Sequence, residues 1–229
     1  LLPLGPTGCG DSPYQSFSAH AGNPYFIDLD LLLREGLLTA DETAACVWGE
    51  DSRRVDYGKI YENRLALLTR AKERGWERDR EAVAAFEAEN GGWLPDYALF
   101  MALKRHFDMK PWTQWPDERV RRHEASALAR WRAELREDVK LFTYIQFLFF
   151  RQWDALKKYI NGLGIRVIGD IPVYVAMDSA DVWAEPEMFR LDGNGRPVEV
   201  SGVPPDYFSA DGQLWGNPLY DYEAMARDG

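Results

Sequence analysis

Residues 165–175, Ile-Arg-Val-Ile-Gly-Asp-Ile-Pro-Val-Tyr-Val, constrain the fold more than any other stretch of the chain. They follow a helical pattern closed by Gly162-Leu163-Gly164 and are apolar and β-branched without clean alternation. Such a run suits a strand buried on both faces, as in a parallel sheet covered by helices. A helix feeding a buried strand predicts an α/β fold. Asp170 stands out against that background, because burying a lone carboxylate is costly. It needs a partner, or an exposed position at the C-terminal end of the strand, which in a (β/α) barrel is the end that carries the active site. A purely structural role, accepting hydrogen bonds from backbone N–H groups, is equally open to it.

Ahead of this run the sequence is helical. Apolar residues at Ile60, Leu65, Leu67, Leu68 and Ala71 predict a helix over 57–74. Two more are predicted over 81–90, ended by Asn90-Gly91-Gly92, and over 95–107. Asp28 or Asp30 caps a short helix through Leu37, and Thr39 opens another, while residues 24–28 read as a short extended segment. Residues 111–116 break the chain, and 117–163 read as helix, with Trp131, Leu135, Val139 and Phe142 spaced by three and four. No repeat of 20 to 50 residues emerges.

Composition narrows the function classes. The 229 residues hold 27 Lys plus Arg against 37 Asp plus Glu, a formal net charge of -10. Phosphate recognition needs a basic face, so a nucleic-acid binder is not expected. No 18-residue apolar stretch occurs, and the most apolar candidate, residues 141–153, carries Thr143, Gln146, Arg151 and Gln152, so no membrane helix is predicted. Cys9 and Cys46 form neither a disulfide framework nor a zinc site, and His20, His106 and His123 are too scattered for a metal trio. Few cysteines fit a reducing, cytoplasmic compartment. Aromatics reach 14%, including 9 Trp, which hints at rings exposed for stacking on sugar faces. The opening Leu1-Leu2-Pro3-Leu4 reads as the end of a strand whose start is absent, and an internal portion of a longer polypeptide is expected.

Two irregular stretches are candidate ligand contacts. Residues 5–24 are dense in Gly, Pro and Ser and follow the strand end read at 1–4, where loops carry function. Residues 202–220 hold too many Pro and Gly for a regular element, yet carry Tyr207, Phe208, Trp215 and Tyr220. Between the strand run and that tail, residues 190–197 read as a hairpin turn with Asp192-Gly193 supplying positive φ.

Three motifs, residues 2–16 (LPLGPTGCGDSPYQS), 169–176 (GDIPVYVA) and 204–220 (PPDYFSADGQLWGNPLY), together resemble the amylomaltases, 4-α-glucanotransferases of the α-amylase group. The resemblance covers essentially the whole chain in order. It implies a (β/α)8 TIM barrel with residues 1–4 ending the second strand, 166–171 forming the third, and a helical subdomain inserted between strands 2 and 3. The implied division is 1–35 barrel segment, 36–120 helical insert and 121–229 barrel segment.

By the same resemblance the reaction is a retaining transfer of α-1,4-glucan segments between maltooligosaccharides, without cofactor or metal. The three catalytic carboxylates of the family are expected beyond Gly229. Ser12 and Tyr14 border the acceptor side, Asp170 sits beside the catalytic centre, and the loop with Asp206, Tyr207, Gln213 and Trp215 covers the glucan. Cys9 stands where many members carry Tyr, which puts a remote second glucan site in doubt. A non-catalytic glucan-binding module and an α-glucan hydrolase are the alternatives, and no oligomeric state follows.

Overall fold

A computed structural model describes residues 1–8, 10–51 and 53–228. The chain is mainly helical, with one small sheet. The predicted helices form: α1 (Leu29–Arg34), α2 (Ala40–Ala44), α3 (Tyr57–Gly75), α4 (Arg80–Glu89) and α5 (Leu94–His106). Asp28 caps α1 through Oδ1, which accepts from the N–H groups of Asp30 and Leu31. The helix stops at Arg34, short of Leu37, because the N–H groups of Leu37 and Leu38 both turn back to Leu32 O. A reciprocal capping box between Thr39 and Glu42 starts α2. Arg74 of α3 then grips the Glu42 carboxylate at 2.6 and 2.7 Å and holds its pKa down to about 2.

The long helix expected over 117–163 is three: α6 (Glu118–Arg121), α7 (Ala125–Glu134) and α8 (Arg136–Gly162). The first break falls at His123, whose φ of 53 lies in the left-handed region. His123 Nε2 lies 3.2 Å from Asp96 Oδ1 on α5, so a tertiary contact outweighs the periodicity. The principal helix pair is α5 against α8. Between them and the following α9 (Ala180–Ala184), Phe100, Trp115 and Trp183 form a fully buried triangle with centroids 5.6 to 5.8 Å apart.

Most of the aromatic surplus is spent in this core. Four tryptophans are buried and four more are half-buried against the core, leaving Trp215 as the exposed one. Exposed rings remain, among them Tyr14, Tyr207 and Phe208.

Two glutamines of α8 fasten the loop before α1. Gln146, fully buried, accepts from Gly22 N–H at 2.7 Å and donates to Gly22 O at 2.9 Å. Gln152 does the same to Asp28, at 2.7 and 3.1 Å. Each side-chain amide pairs with both polar groups of one residue, as a neighbouring strand would. Gly22 also has no room for a side chain, since a Cβ there would lie 1.9 Å from the ring of Phe149. Six residues of loop must thus cover the rise of six helical residues, about 9 Å, where an extended chain would cover about 20 Å. That explains the correction over 24–28: Pro24–Phe26 is a turn of 3-10 helix, not an extended segment.

The run 165–175 forms no ladder. Among the described residues the one hydrogen bond between this run and residues 1–4 is from the Leu1 backbone nitrogen to Ile168 O, 2.7 Å. Ile168, Ile171 and Val173 are 83%, 81% and 73% exposed, so burial on both faces is not observed. The physical reason is that a parallel strand takes its ladder and its cover from neighbouring strands. None of the described residues forms one beside it.

The tail is more regular than its composition suggests. β1 (Val200–Val203) pairs antiparallel with β2 (Gln213–Pro218) across a bulge between Val200 and Gly202. The chain then ends in α10 (Tyr222–Asp228). The 190–197 turn is present as expected, bridged between Leu191 and Pro197, but its positive φ belongs to Gly195 (72°) and not to Gly193. Asp192 Oδ1 accepts from the N–H groups of Asn194 and Arg196 to close it.

The buried ammonium of Lys104 joins these parts. Its Nζ donates to Met109 O, Lys110 O and Asp178 Oδ2 at 2.7, 3.0 and 2.5 Å, with 1% of the side chain exposed. Removing one partner of such a pair strands the other polar groups. Lys104→Met is expected to lower unfolding free energy by roughly 3 kcal/mol in urea titrations. A loss under about 1 kcal/mol would show the pair to be dispensable.

Candidate functional site

The 5–18 loop folds back on itself. Phe17 N–H donates to Pro6 O, Gly8 N–H donates to Gln15 O, and Thr7 bridges Ser16. Its tip presents Ser12 and Tyr14. Ser12 Oγ accepts from Tyr14 N–H at 3.3 Å, which fixes the backbone that carries the phenol. Tyr14 Oη donates to Asp170 Oδ2 at 2.8 Å across 156 residues of sequence.

This pair borders a cleft of ≈ 590 Å³ that Gln213, Trp215 and Asn217 of β2 also line. All three border the cleft although the ladder is irregular between Leu214 and Pro218 and Gly216 takes a φ of 79. Trp215 keeps 43% of its surface exposed, and its Nε1–H donates to Gln213 Oε1 at 3.0 Å. The cleft therefore offers an indole, two tyrosines, three amides, a serine hydroxyl and one carboxylate, with Ile171, Pro172 and Val173 as an apolar wall. Flat apolar faces ringed by hydroxyl partners are what this set can hold. A double displacement at a sugar carbon needs two carboxyl groups, and Asp170 is the single carboxylate among the lining residues.

Five of the seven residues singled out in the sequence, Ser12, Tyr14, Asp170, Gln213 and Trp215, thus meet at one cleft. Asp206 and Tyr207 stand apart. Asp206 Oδ1 accepts from the N–H groups of Phe208 and Ser209, closing the turn between the two strands. Tyr207 is 97% exposed and touches Phe208 edge-on. Cys9, on which the doubt about a second site rests, lies outside the described residues. Gln15 and Asn217 were not singled out, although both lie inside the quoted motifs. Gln15 Nε2 donates to Asn217 Oδ1 at 3.1 Å.

No helix among the described residues is long and apolar enough to cross a membrane.

The profile of the 4-alpha-glucanotransferase family (Glyco_hydro_77) matches residues 1–229. A 4-alpha-glucanotransferase of Streptococcus pneumoniae serotype 4 is 48% identical over 230 residues, covering 100% of this chain and 46% of the relative. One from Thermus thermophilus is 51% identical over 233 residues, covering 100% of this chain and 45% of the relative. Among solved structures, an amylomaltase from Streptococcus agalactiae, in complex with acarbose, superposes with a TM-score of 0.95 at 43% identity. That superposition covers 99% of this chain and 46% of the other. The amylomaltase of Corynebacterium glutamicum gives a TM-score of 0.72 at 21% identity, over 100% of this chain and 32% of its own, a likeness of fold alone. The chain spans about half the length of the curated relatives it matches.

Donation to Asp170 raises the pKa of the Tyr14 phenol above the ordinary tyrosine range. The bond needs the protonated phenol, so it persists below the ordinary pKa and is lost as pH rises through the raised one. The phenolate absorbance of Tyr14, taken as wild type minus Tyr14→Phe, should therefore titrate above the usual range. Asp170→Asn should bring it back down. A Tyr14 titration indifferent to Asp170→Asn would contradict the pairing.

Proposed function

As this chain belongs to the 4-alpha-glucanotransferase family, we propose that the polypeptide containing it moves α-1,4-glucan segments between maltooligosaccharides. The mechanism is a retaining double displacement in the cytoplasm. One carboxylate attacks the anomeric carbon as the leaving oxygen is protonated, and a sugar hydroxyl then replaces the enzyme. Residues 1–229 supply binding walls for this reaction, and the catalytic carboxyl pair comes from elsewhere in the polypeptide.

One observation carries the reading: a cleft in which Trp215, the Tyr14–Asp170 pair and Gln213 converge, with a single carboxylate among its lining. Trp215 stacks on a glucose face, Gln213 binds hydroxyls, and Ser12 with Tyr14 borders the acceptor sugar. Asp170 sits beside the reacting centre, where its charge and its bond to Tyr14 orient a sugar hydroxyl. Asp206 and Tyr207 belong to a turn that folds over the glucan and keeps water from competing as acceptor. Tyr207, wholly exposed, has its surface free for that contact.

In architecture, residues 1–4 and 166–171 are proposed as the second and third strands of a (β/α)8 barrel. Residues 36–120 form the helical insert, and 1–35 and 121–229 belong to the barrel. The Leu1 to Ile168 hydrogen bond supports setting the two strand segments side by side. The exposed apolar side chains of 165–173 support neighbours on either face. As a separate polypeptide the chain would expose those edges and aggregate, without activity.

The protein from the full reading frame, given maltotriose, is expected to release glucose while building maltopentaose. Release of glucose and maltose alone would make it a hydrolase. Binding of maltooligosaccharides without turnover would make it a binding module. Trp215→Ala is expected to raise KM about tenfold, the scale of one lost stacking contact.

A further inference from the structure

We infer that Asn217 is a positioning residue for glucan binding, the one amide that locks the three walls of the cleft to each other; the inference rests on the glucan reading above. Asn217 is 4% exposed, so it offers a ligand almost no surface of its own. Its Nδ2–H donates to Val175 O at 2.9 Å, and its Oδ1 accepts from Gln15 Nε2 at 3.1 Å. Val175 O can only accept, which fixes the orientation of the amide and leaves Oδ1 toward Gln15.

The three stretches joined here are remote in sequence, and each carries a cleft group close by. Gln15 adjoins Tyr14, Val175 follows Asp170 by five residues, and Asn217 follows Trp215 by two. The 165–175 run has no ladder to hold it among the described residues, and the 5–18 tip hangs from a short hairpin. Apart from the exposed Tyr14–Asp170 bond, side-chain hydrogen bonds to Asn217 are what tie these segments to one another at the cleft.

Only a planar amide offers a donor and an acceptor at this spacing. Aspartate would set a second acceptor against Val175 O, and leucine would leave both partners unsatisfied. Loss of the lock should loosen where Tyr14 and Trp215 stand relative to Asp170. That weakens ground-state and transition-state binding alike, so KM rises and kcat holds.

The test uses the protein from the full reading frame, with maltotriose as substrate and thermal melting alongside. Asn217→Leu and Gln15→Met are each expected to raise KM about fivefold to tenfold with kcat within about twofold. The double variant should be no worse than the weaker single, since both cut the same link. Gln15→Met removes the link from the loop side, where the side chain is only half-buried, which keeps the test open should Asn217→Leu fold poorly. If the effects of the two substitutions multiply, Gln15 contacts the sugar directly and the lock is refuted. Unchanged KM in Gln15→Met refutes it too, as does a fall in kcat that tracks a lowered melting midpoint. A wild-type protein inert toward maltotriose would overturn the glucan reading itself, and the inference with it.

Discussion

A positive charge buried at the C-terminal end of α5 organises what lies around it. Lys104 Nζ keeps its charge out of water because each of its three protons has a partner, two carbonyls and one carboxylate oxygen. The carbonyls come from Met109 and Lys110, just beyond a turn in which Asp108 and Met109 take φ values of 52 and 59. Such conformations disfavour residues with side chains, and here they aim the backbone oxygens at the ammonium. The other oxygen of Asp178 accepts from Trp112 N–H at 3.0 Å, while Trp112 Nε1–H reaches Met177 O at 2.7 Å. Phe17 lies with its ring 5.2 Å from the same charge. The helical half, the stretch leaving the cleft and the hairpin that carries Tyr14 thus share one electrostatic anchor.

The helices were legible because caps and apolar spacing act locally. Thr39 with Glu42, Asp28 before Leu29, and the stripe from Leu65 to Ala71 all announce themselves within a few residues. What failed depends on partners distant in sequence. Pro24-Tyr25-Phe26 reads as extended until Gln146 and Gln152 compress it, and His123 leaves the helical region for Asp96. Residues 213–218 read as irregular because Gly216 and Pro218 weigh against a strand, yet β1 supplies the ladder that composition could not reveal.

The site divides along the same line. Trp215 was legible as a large ring in an irregular stretch and Asp170 as a lone carboxylate in an apolar run, whereas Ser12, Tyr14 and Gln213 were singled out through the family resemblance. Asp206 shows the converse, a carboxylate whose near neighbours' N–H groups absorb it. Asn217 and Gln15 escaped notice because an amide in a Gly- and Pro-rich stretch reads as a turn former. Its value as simultaneous donor and acceptor appears only when residues 15, 175 and 217 are brought together.

The paired amides of α8 carry an implication for how such a chain can change. Both clamps join residues 124 positions apart, so loop and helix are read against each other like the two scales of a vernier. Inserting or deleting one residue between 146 and 152 would preserve one clamp and carry the other glutamine about 100° around the helix, out of reach unless the loop between 22 and 28 changed with it. Substitutions can accumulate along both segments, but their lengths can drift only together.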